Sequence, residues 1–238
     1  MNKIYAMIPA RIGSQRLKFK NLCLINGKPL IYYSINSSRK SKVFDKIIIN
    51  SDHKIFSKIA DRYKVEFFKR PSILGGNNIK SDDVVNNFFK NFDCDILVWV
   101  NPIAPLQEAK EIKKIVNYFK NNKFDSLYTV VNRKVHSLFK NRILNFNKNT
   151  KFQQTQSLTP VTEMVYSLMM WRKKSFTKFY GKYKNAFLRG KVCYYPVDQE
   201  NLIIVKNIND IKIAESFILT KQKNELIKYD KLLKKIND

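Results

Sequence analysis

The stretch that decides the fold runs from residue 8 to residue 31 and reads IPARIGSQRLKFKNLCLINGKPLI. It begins at the end of a short apolar run, residues 3–8, whose β-branched and aromatic side chains predict a buried strand that stops at a proline. Only two glycines accompany the five basic residues of the stretch, which are Arg11, Arg16, Lys18, Lys20 and Lys28. A chain that leaves its first strand through this much positive charge is expected to meet an anion there.

The segments that follow alternate between strand and helix patterns. Apolar β-branched runs predict strands at 46–50, 65–69, 95–100 and 125–131. Amphipathic runs predict helices at 28–41, at 53–64, after a capping Ser81 with Asp82 and Asp83 in the first turn, and at 108–122. Such alternation predicts an α/β fold in which helices cover both faces of a mainly parallel sheet.

The alternation ends after residue 131. Residues 133–160 are polar, basic and irregular, with room for one short hairpin, and we interpret 133–170 as an excursion from the sheet. Strands are then predicted at 163–171, 191–197 and 201–205, and a helix at 207–219 with Asn207 or Asn209 as its cap. Residues 220–238 carry six lysines against three acids and predict a basic, solvated helix, with partner binding as the alternative. No linker divides the chain, so 1–238 is interpreted as one domain.

The composition narrows the possible partners and compartments. The chain has 45 Lys and Arg against 19 Asp and Glu, a formal charge of +26, which indicates either an anionic partner or the general bias of an A+T-rich genome. Its cysteines, Cys23, Cys94 and Cys193, are far apart and lack a CxxC spacing, so neither a disulfide framework nor a zinc site is predicted. No signal peptide and no apolar run of about 18 residues is found, so we expect a cytoplasmic chain without a membrane span.

The loop of residues 9–21 is placed for binding. In an open α/β sheet ligands lie beyond the carboxyl ends of the strands, where this loop begins. Gly13 and Ser14 allow backbone N–H groups to approach an anion, and Arg11 and Lys20 can neutralise phosphate oxygens. The loop is neither a Walker A motif nor GxGxxG, so its local chemistry leaves phosphate binding and a merely solvated basic loop as alternatives. His53 and His136 stand alone in the sequence and are interpreted as surface residues.

The order of residues IPARIGSQRLKFKNL followed by GKPLI resembles the sugar cytidylyltransferases, especially acylneuraminate cytidylyltransferases and their relatives that act on other eight- or nine-carbon keto sugar acids. The resemblance continues through 49–63, 69–85 and 101–107, with weaker matches at 155–161 and 208–215, and so covers nearly the whole chain. It implies a Rossmann-like nucleotidyltransferase fold of the GT-A-like type. It also implies a homodimer, in which the excursion at 133–170 reaches a second subunit.

The resemblance implies transfer of CMP from CTP to a keto sugar acid with release of pyrophosphate. Arg11 and Lys20 would neutralise the leaving group, and Ala10, Gly13, Ser14 and Asn21 would hold phosphate or ribose. Arg70 matches the family's residue near the cytosine, and Ser81 matches the position that holds the nucleoside. From the residues alone, a surface ion pair and a plain helix cap are the alternatives for these two. Asn101 and Gln107 would lie on the sugar side, in a turn that has lost polarity, with Ile103 and Ala104 where the family favours Thr and Ser.

One segment departs from the family pattern. Two aspartates of a DID motif are associated with magnesium in the family, and here Ile204 and Lys206 occupy those positions. An aliphatic side chain cannot ligate a hard cation and an ammonium repels one. Asp198 or Asp210 could offer a displaced carboxylate, Lys206 could supply fixed charge, and Mg²⁺ is expected to arrive with the nucleotide. The alternative function is a degenerate homologue that binds nucleotide or a partner with little turnover. Nucleic-acid binding is the least favoured, because no recognised module accompanies the charge.

Overall fold

The sheet that the alternating pattern predicts has seven strands, in the order β11-β7-β10-β6-β1-β4-β5. A computed structural model describes residues 2–223 of the chain. Its strands are β1 Ile4–Ala10, β2 Leu24–Ile25, β3 Lys28–Pro29, β4 Lys46–Ser51, β5 Glu66–Lys69, β6 Ile96–Val100, β7 Ser126–Arg133, β8 Leu138–Phe139, β9 Arg142–Ile143, β10 Val161–Arg172 and β11 Val192–Pro196. Its α-helices are α1 Leu30–Ser41, α2 Ile55–Tyr63, α3 Ser81–Asn91, α4 Ala109–Asn121, α5 Lys173–Tyr183 and α6 Ile208–Lys223.

The sheet is parallel except for β10. Strand β1 pairs in parallel with both β4 and β6, β4 with β5, and β7 with β11. Strand β10 lies antiparallel between β6 and β7. The chain therefore moves outward from β1 to β5 and then returns to β6 on the other side of β1. The loops after β1 and β6 diverge at the carboxyl edge, and such a switch point leaves a crevice where α/β proteins bind ligands.

Two apolar layers explain why β1 is a continuous apolar run. Ala6 and Ile8 of β1 pack into a core with side chains of α1, α2 and α4 on one face of the sheet. Tyr5 and Met7 point to the other face, into a core that includes Phe88 of α3 and residues of α5. Because successive strand residues face opposite sides, a strand that is buried on both sides must be apolar at every position.

A third apolar cluster joins the end of the described chain to the basic loop. Val205 and Ala214 are fully buried against Ile25 and Leu30, which lie in and after the β2–β3 hairpin. Leu17 of the loop packs against the same cluster. Segment 203–206 and α6 are thereby held next to residues 9–21, although about 190 residues separate them in sequence.

The prediction of a mainly parallel sheet between helices is confirmed, but the strand predicted at 201–205 is wrong. Residues Gln199–Leu202 form a 3-10 turn, held where the Asn201 amide donates to Glu111 Oε2 at 3.1 Å. Val205 then makes one backbone hydrogen bond, its N–H donating to the Ile103 carbonyl at 2.8 Å. Ile203 and Val205 of this run pack into the third cluster, whereas Leu202 and Ile204 lie outside it and are only partly buried. A short apolar run does not distinguish such an arrangement from a strand.

Among the helices, one predicted cap is wrong, one is confirmed, and one helix was not predicted. Ser81 is the first residue of α3 and makes no capping hydrogen bond, so its predicted capping role is wrong, whereas Asp82 and Asp83 do lie in the first turn. Asn207 caps α6, because its Oδ1 accepts from the N–H groups of Asn209 and Asp210 at 2.8 and 3.1 Å, respectively. Helix α5 was not predicted, since Phe176 is its only fully buried side chain within a lysine-rich segment.

The excursion is shorter than predicted, because β10 belongs to the central sheet from Val161 onward. The predicted hairpin is present as β8 and β9. The basic segment predicted at 220–238 continues α6 as far as Lys223, and residues 224–238 lie outside the described residues. Within residues 2–223, none of the helices is long and apolar enough to cross a membrane.

One buried hydrogen-bond chain connects the core to the carboxyl edge. The indole Nε1 of Trp171 donates to the Tyr128 hydroxyl at 3.1 Å, and that hydroxyl donates to the Phe187 carbonyl. Both Trp171 and Tyr128 are fully buried. A buried donor that loses its only partner cannot exchange it for water. These two hydrogen bonds therefore stabilise the fold as well as the position of Phe187.

We therefore expect Tyr128→Phe to lower the free energy of unfolding by about 1–3 kcal/mol, because it leaves both the indole N–H and the Phe187 carbonyl without their partner. Urea denaturation followed by circular dichroism measures this. Tyr194→Phe is the matched control, since Tyr194 is on the neighbouring strand β11 and is exposed. Equal stability of the two variants would show that the hydroxyl contributes nothing.

Candidate active site

A cavity of about 300 Å³ opens at the switch point. We call it the first cavity. The loop after β1, the segment between β5 and α3, and the end of β6 form its walls. Seven residues predicted for the site line it together: Arg11, Ser14, Lys20, Asn21, Arg70, Ser81 and Asn101. Arg16, which the prediction did not assign to the site, lines it as well.

The loop after β1 presents Lys20 and Asn21 on a short turn. Phe19 adopts a left-handed conformation with φ of 52°, and its carbonyl accepts from the Leu22 N–H at 2.8 Å. Arg11, at the start of the loop, donates from Nη1 to Asn77 Oδ1 at 3.0 Å across the cavity rim. The loop is thus ordered by its own turn and by the segment that follows β5.

Lys20 is a partly buried cation of the first cavity. Its Nζ donates to the Val205 carbonyl at 3.2 Å. Burial lowers the pKa of Lys20, the neighbouring Arg16 and Arg11 lower it further, and Asp210 partly opposes them. A cation that is destabilised by burial and by like charges gains when an anion enters, because the anion relieves both effects. The position therefore favours binding of a highly charged anion.

Arg70 is buried, with 4% of its surface exposed, so it is not a surface ion pair. Its Nη1 donates to the Asn50 carbonyl at 3.1 Å, and its Nη2 lies 3.5 Å from Asp52 Oδ1. Burial lowers its pKa, Asp52 raises it, and Arg11 lowers it. Its Nε has no partner among the described residues. A guanidinium that is fixed on one side and lines a cavity can recognise a planar polar ligand.

Gly75 makes room for the carboxylate that anchors Arg70. A Cβ at position 75 would lie 2.5 Å from Asp52 Oδ2, closer than any real contact of that kind.

Asn21 offers a second unsatisfied group in the first cavity. It is 5% exposed, and its Oδ1 has no hydrogen-bond partner among the described residues. Such a buried acceptor is costly unless a ligand or water donates to it.

A second cavity of about 390 Å³ adjoins the first. Ser81, Trp99, Asn101 and Ile103 line both. The remaining walls are mainly apolar, formed by Met164, Val165, Tyr166, Met169, Phe187, Leu202 and Ile204, with Glu163 and Lys206 as charged residues. Two adjoining cavities, one cationic and one mainly apolar, suit two different reactants that must meet.

An irregularity in β10 shapes the second cavity. The register against β7 shifts between Met164 and Met169, and Tyr166 has a φ of 54°. Asn101 holds this bulge, since its Nδ2 donates to the Tyr166 carbonyl at 3.2 Å and its N–H to the Ser167 carbonyl at 3.0 Å. Bulges next to a site redirect side chains into it. The amide of Asn101, predicted to face the sugar, thus also supports the wall.

Phe187 enters the second cavity from the segment after α5. The Asp82 carboxylate accepts from the N–H groups of Ala186 and Phe187 at 2.6 and 3.1 Å. No sequence pattern marks Trp99, Tyr166 or Phe187 as site residues, because Trp99 and Tyr166 lie within apolar runs and Phe187 lies in a segment without a predicted element. The pairing of β10 with β6 brings Trp99 and Tyr166 to one edge, and the Asp82 contacts place Phe187 beside them.

Three predicted residues lie outside both cavities. Ala10 is fully buried at the end of β1, and Gly13 is exposed on the loop without lining either cavity. Gln107, which was predicted for the sugar side, also lines neither cavity. Its amide donates to the Glu111 carboxylate, and it lines a separate groove beside α1 and α6. The position after a turn does not reveal which side of the sheet a side chain faces.

Residues 204–206, which differ from the family's DID motif, do not form a site for a magnesium ion. Ile204 and Lys206 line the second cavity, and neither can ligate Mg²⁺. Asp210 Oδ2 accepts from the N–H groups of Lys206 and Asn207 at 2.7 and 2.9 Å, and Asp198 lies outside both cavities. Residues 2–223 contain no cluster of three or more potential ligands among His, Cys, Asp and Glu.

A mainly parallel sheet with a cationic cavity at its switch point is the arrangement of a nucleotide-binding α/β enzyme. A family model described as cytidylyltransferase matches residues 5–235. The chain therefore belongs to the cytidylyltransferase family, whose members are nucleotidyltransferases, and the resemblance seen in the basic loop is confirmed.

Curated relatives match most of the chain at low identity. The chain is 29% identical to the post-translational flagellin modification protein B of Campylobacter coli, over 94% of this chain and 97% of that protein. It is 23% identical to the N-acylneuraminate cytidylyltransferase of Escherichia coli, over 99% of this chain but 57% of that enzyme. The chain thus spans little more than half of the Escherichia coli enzyme.

Solved structures share the fold. The structure of CMP:2-keto-3-deoxy-manno-octonic acid synthetase complexed with CTP aligns with a TM-score of 0.69 and 12% identity, over 92% of this chain and 99% of that one. The 4-diphosphocytidyl-2C-methyl-D-erythritol synthase of Anaerococcus prevotii aligns with a TM-score of 0.66 and 15% identity, over 92% of this chain and 99% of that one. The Rossmann-like nucleotidyltransferase fold is therefore confirmed.

The geometry of the basic loop yields a prediction for nucleotide binding. Lys20→Ala is expected to weaken CTP binding by about 10-fold or more, because a charge-assisted contact worth roughly 1.5–3 kcal/mol is lost. Arg11→Ala should act in the same direction. Isothermal titration calorimetry measures both.

Lys18→Ala is the matched control, since Lys18 lies in the same loop but does not line the first cavity. It should bind CTP within about 2-fold of the unmodified chain, as expected for an exposed cation outside the contact. Equal losses in Lys18→Ala and Lys20→Ala would mean that the general positive charge of the loop attracts the nucleotide and that the first cavity is not its site.

Proposed function

We propose that the chain transfers CMP from CTP to the anomeric hydroxyl of a keto sugar acid and releases pyrophosphate. The observation that supports this most is the pair of adjoining cavities. The first is lined by Arg11, Arg16 and Lys20, and the second is separated from it only by shared residues such as Asn101 and Trp99. Membership of the cytidylyltransferase family supports the same reaction.

In the proposed reaction the acceptor oxygen attacks the α-phosphorus of CTP. The new bond is the one between that oxygen and the phosphorus, and the bond to the β-phosphate oxygen breaks in line with it. The hydroxyl proton passes to solvent. Negative charge accumulates on the departing pyrophosphate, and fixed cations that face it lower the barrier without reorganising. Arg11 and Lys20 are the residues proposed for this role.

The cytidine would be held on the opposite wall of the first cavity. Arg70 has a free donor at Nε, and Asn21 has a free acceptor at Oδ1. Ser81 is exposed at the first turn of α3 and lines the same cavity. Polar groups that are buried without partners in the free protein are those that a ligand can satisfy, which favours these residues for the base and ribose.

We propose that magnesium enters with the nucleotide. Triphosphates bind Mg²⁺ through their own oxygens and the ion keeps several waters, so a protein ligand is not required for its presence. The cations of the first cavity would complement the charge that remains. No step of the proposed reaction depends on a magnesium ion held by side chains.

A screen for pyrophosphate release tests the proposal. The chain is incubated with CTP, Mg²⁺ and a panel of keto sugar acids, and pyrophosphate is measured by a coupled assay. We expect release that requires both CTP and an acceptor and that is reduced at least about 10-fold in Lys20→Ala, because the leaving group loses one cation. Lys18→Ala should retain the rate.

The same screen separates the alternative function. The replacement of the family's aspartates by Ile204 and Lys206 favours a homologue that binds nucleotide with little turnover. CTP binding without pyrophosphate release, for every acceptor and at every Mg²⁺ concentration, would establish that alternative and contradict the proposed transfer.

We further propose that the chain forms a homodimer through the excursion. Residues 134–160 expose large apolar side chains: Leu138, Phe139, Leu144 and Phe152. Phe152 is 81% exposed and, among the aromatic rings of residues 2–223, stacks on His136 alone, with ring centroids 4.2 Å apart. Contiguous exposed apolar side chains mark interaction surfaces, and a second copy of the chain is the partner that the family resemblance implies.

Multi-angle light scattering tests the dimer. The unmodified chain should give the mass of two copies at micromolar concentration, and Phe139→Glu with Leu144→Glu should shift it to one copy, because charges would be buried at the interface. Phe217→Glu, on the exposed side of α6, is the control that should remain dimeric. A monomer for the unmodified chain would rule the proposal out.

A further inference from the structure

The two cavities differ in where their cations lie. Arg11, Arg16 and Lys20 line the first cavity, whereas Lys206 lines only the second. Glu163 is the other charged residue there, and its carboxylate is 3.4 Å from Arg133 Nη1. Among the described residues that line the second cavity, Lys206 is the one cation, and most of the others are apolar. This placement separates it from the cations that face the proposed triphosphate site.

The backbone around Lys206 is held from several sides. Its N–H donates to Asp210 Oδ2 at 2.7 Å. The carbonyl of Val205 accepts from Lys20 Nζ at 3.2 Å, and the Val205 N–H donates to the Ile103 carbonyl at 2.8 Å. The base of the Lys206 side chain is thus fixed at the border of the two cavities, while its long flexible stem leaves the ammonium free to meet a ligand.

An acceptor of the proposed class has a carboxylate next to its reacting carbon. In an apolar space such a carboxylate is unfavourable unless a cation accompanies it, and the attraction between the two is stronger there than in water. The apolar walls of the second cavity favour apolar substituents on the rest of the acceptor. Met164, Phe187 and Leu202 offer no hydrogen-bond donors to hydroxyl groups, so methyl and acyl substituents fit them better.

We propose that Lys206 binds the carboxylate of the acceptor, and that the apolar walls of the second cavity select keto sugar acids with acyl and methyl substituents over fully hydroxylated ones. This inference rests on the proposed function and specifies its acceptor. It assigns to Lys206 a contact with the acceptor, at a position where the resembling family has an aspartate associated with magnesium.

Acceptor binding is measured by calorimetry in the presence of a non-hydrolysable CTP analogue, so that turnover is not needed. The probes are N-acetylneuraminate and its methyl ester. In Lys206→Met the acid should bind about 10-fold or more weakly, because a charge-assisted contact is lost, while the ester should bind as it does to the unmodified chain. Lys206→Arg should restore most of the preference for the acid.

Lys212→Met is the matched control, since Lys212 is exposed on α6 and lines neither cavity. The affinity for the CTP analogue is followed in every variant and should be unchanged in Lys206→Met. A loss of CTP affinity with unchanged acceptor affinity would overturn the inference, because Lys206 would then serve the triphosphate. In that case pyrophosphate release by the unmodified chain would leave the proposed function intact.

The preference of the walls is tested with three acids in the same assay. They are 3-deoxy-manno-octulosonate without an acyl group, N-acetylneuraminate with one, and a nonulosonate with two N-acetyl groups and a terminal methyl. Affinity should rise along this series, and Leu202→Asn should reduce the difference between the first and the last by roughly 10-fold. Tightest binding of the fully hydroxylated acid overturns the inference. Failure of all three to bind overturns it together with the proposed acceptor class, whereas CTP binding is measured independently.

Discussion

The hydrogen bond from Lys20 Nζ to the Val205 carbonyl connects the two parts of the site. Lys20 belongs to the loop that leaves the first strand, and Val205 lies in the segment that departs from the family pattern. The apolar cluster of Val205 with Ile25 and Leu30 also holds the two segments together, because Leu17 of the loop packs against it. Because of this contact, a change in segment 204–206 alters the surroundings of Lys20, and the two cavities share one border.

The charge of the site follows from the same arrangement. In a site with carboxylates at 204 and 206 a metal ion would be the local positive charge. Here that border carries an isoleucine and a lysine, while the loop contributes Arg11, Arg16 and Lys20. The free protein must therefore hold several like charges close together. Burial lowers the pKa of Lys20, and repulsion from Arg16 and Arg11 lowers it further. Binding of a polyanion, such as the proposed CTP, would relieve this repulsion.

The sequence predicted the sheet and the first cavity better than the second. Strands such as β1 are buried on both faces and helices such as α4 are amphipathic, so their patterns were unambiguous. The basic loop is contiguous, and its residues could be recognised together. Trp99 and Tyr166 meet through the pairing of β10 with β6, which no local pattern reveals. The position of Gln107 outside both cavities shows that spacing after a strand does not fix the side to which a residue points. The prediction of a strand at 201–205 failed because Ile203 and Val205 pack into a cluster outside the sheet, while Leu202 and Ile204 face the second cavity.

A crystal structure of the chain with CTP and Mg²⁺ tests the account most directly. The account predicts the triphosphate in the first cavity, within hydrogen-bonding distance of Arg11 and Lys20, the cytosine near Arg70, and the second cavity left open for an acceptor. Any magnesium ion should be bound by phosphate oxygens and water. A nucleotide in the second cavity, a triphosphate away from the basic loop, or an ion ligated by Asp198 or Asp210 would contradict it.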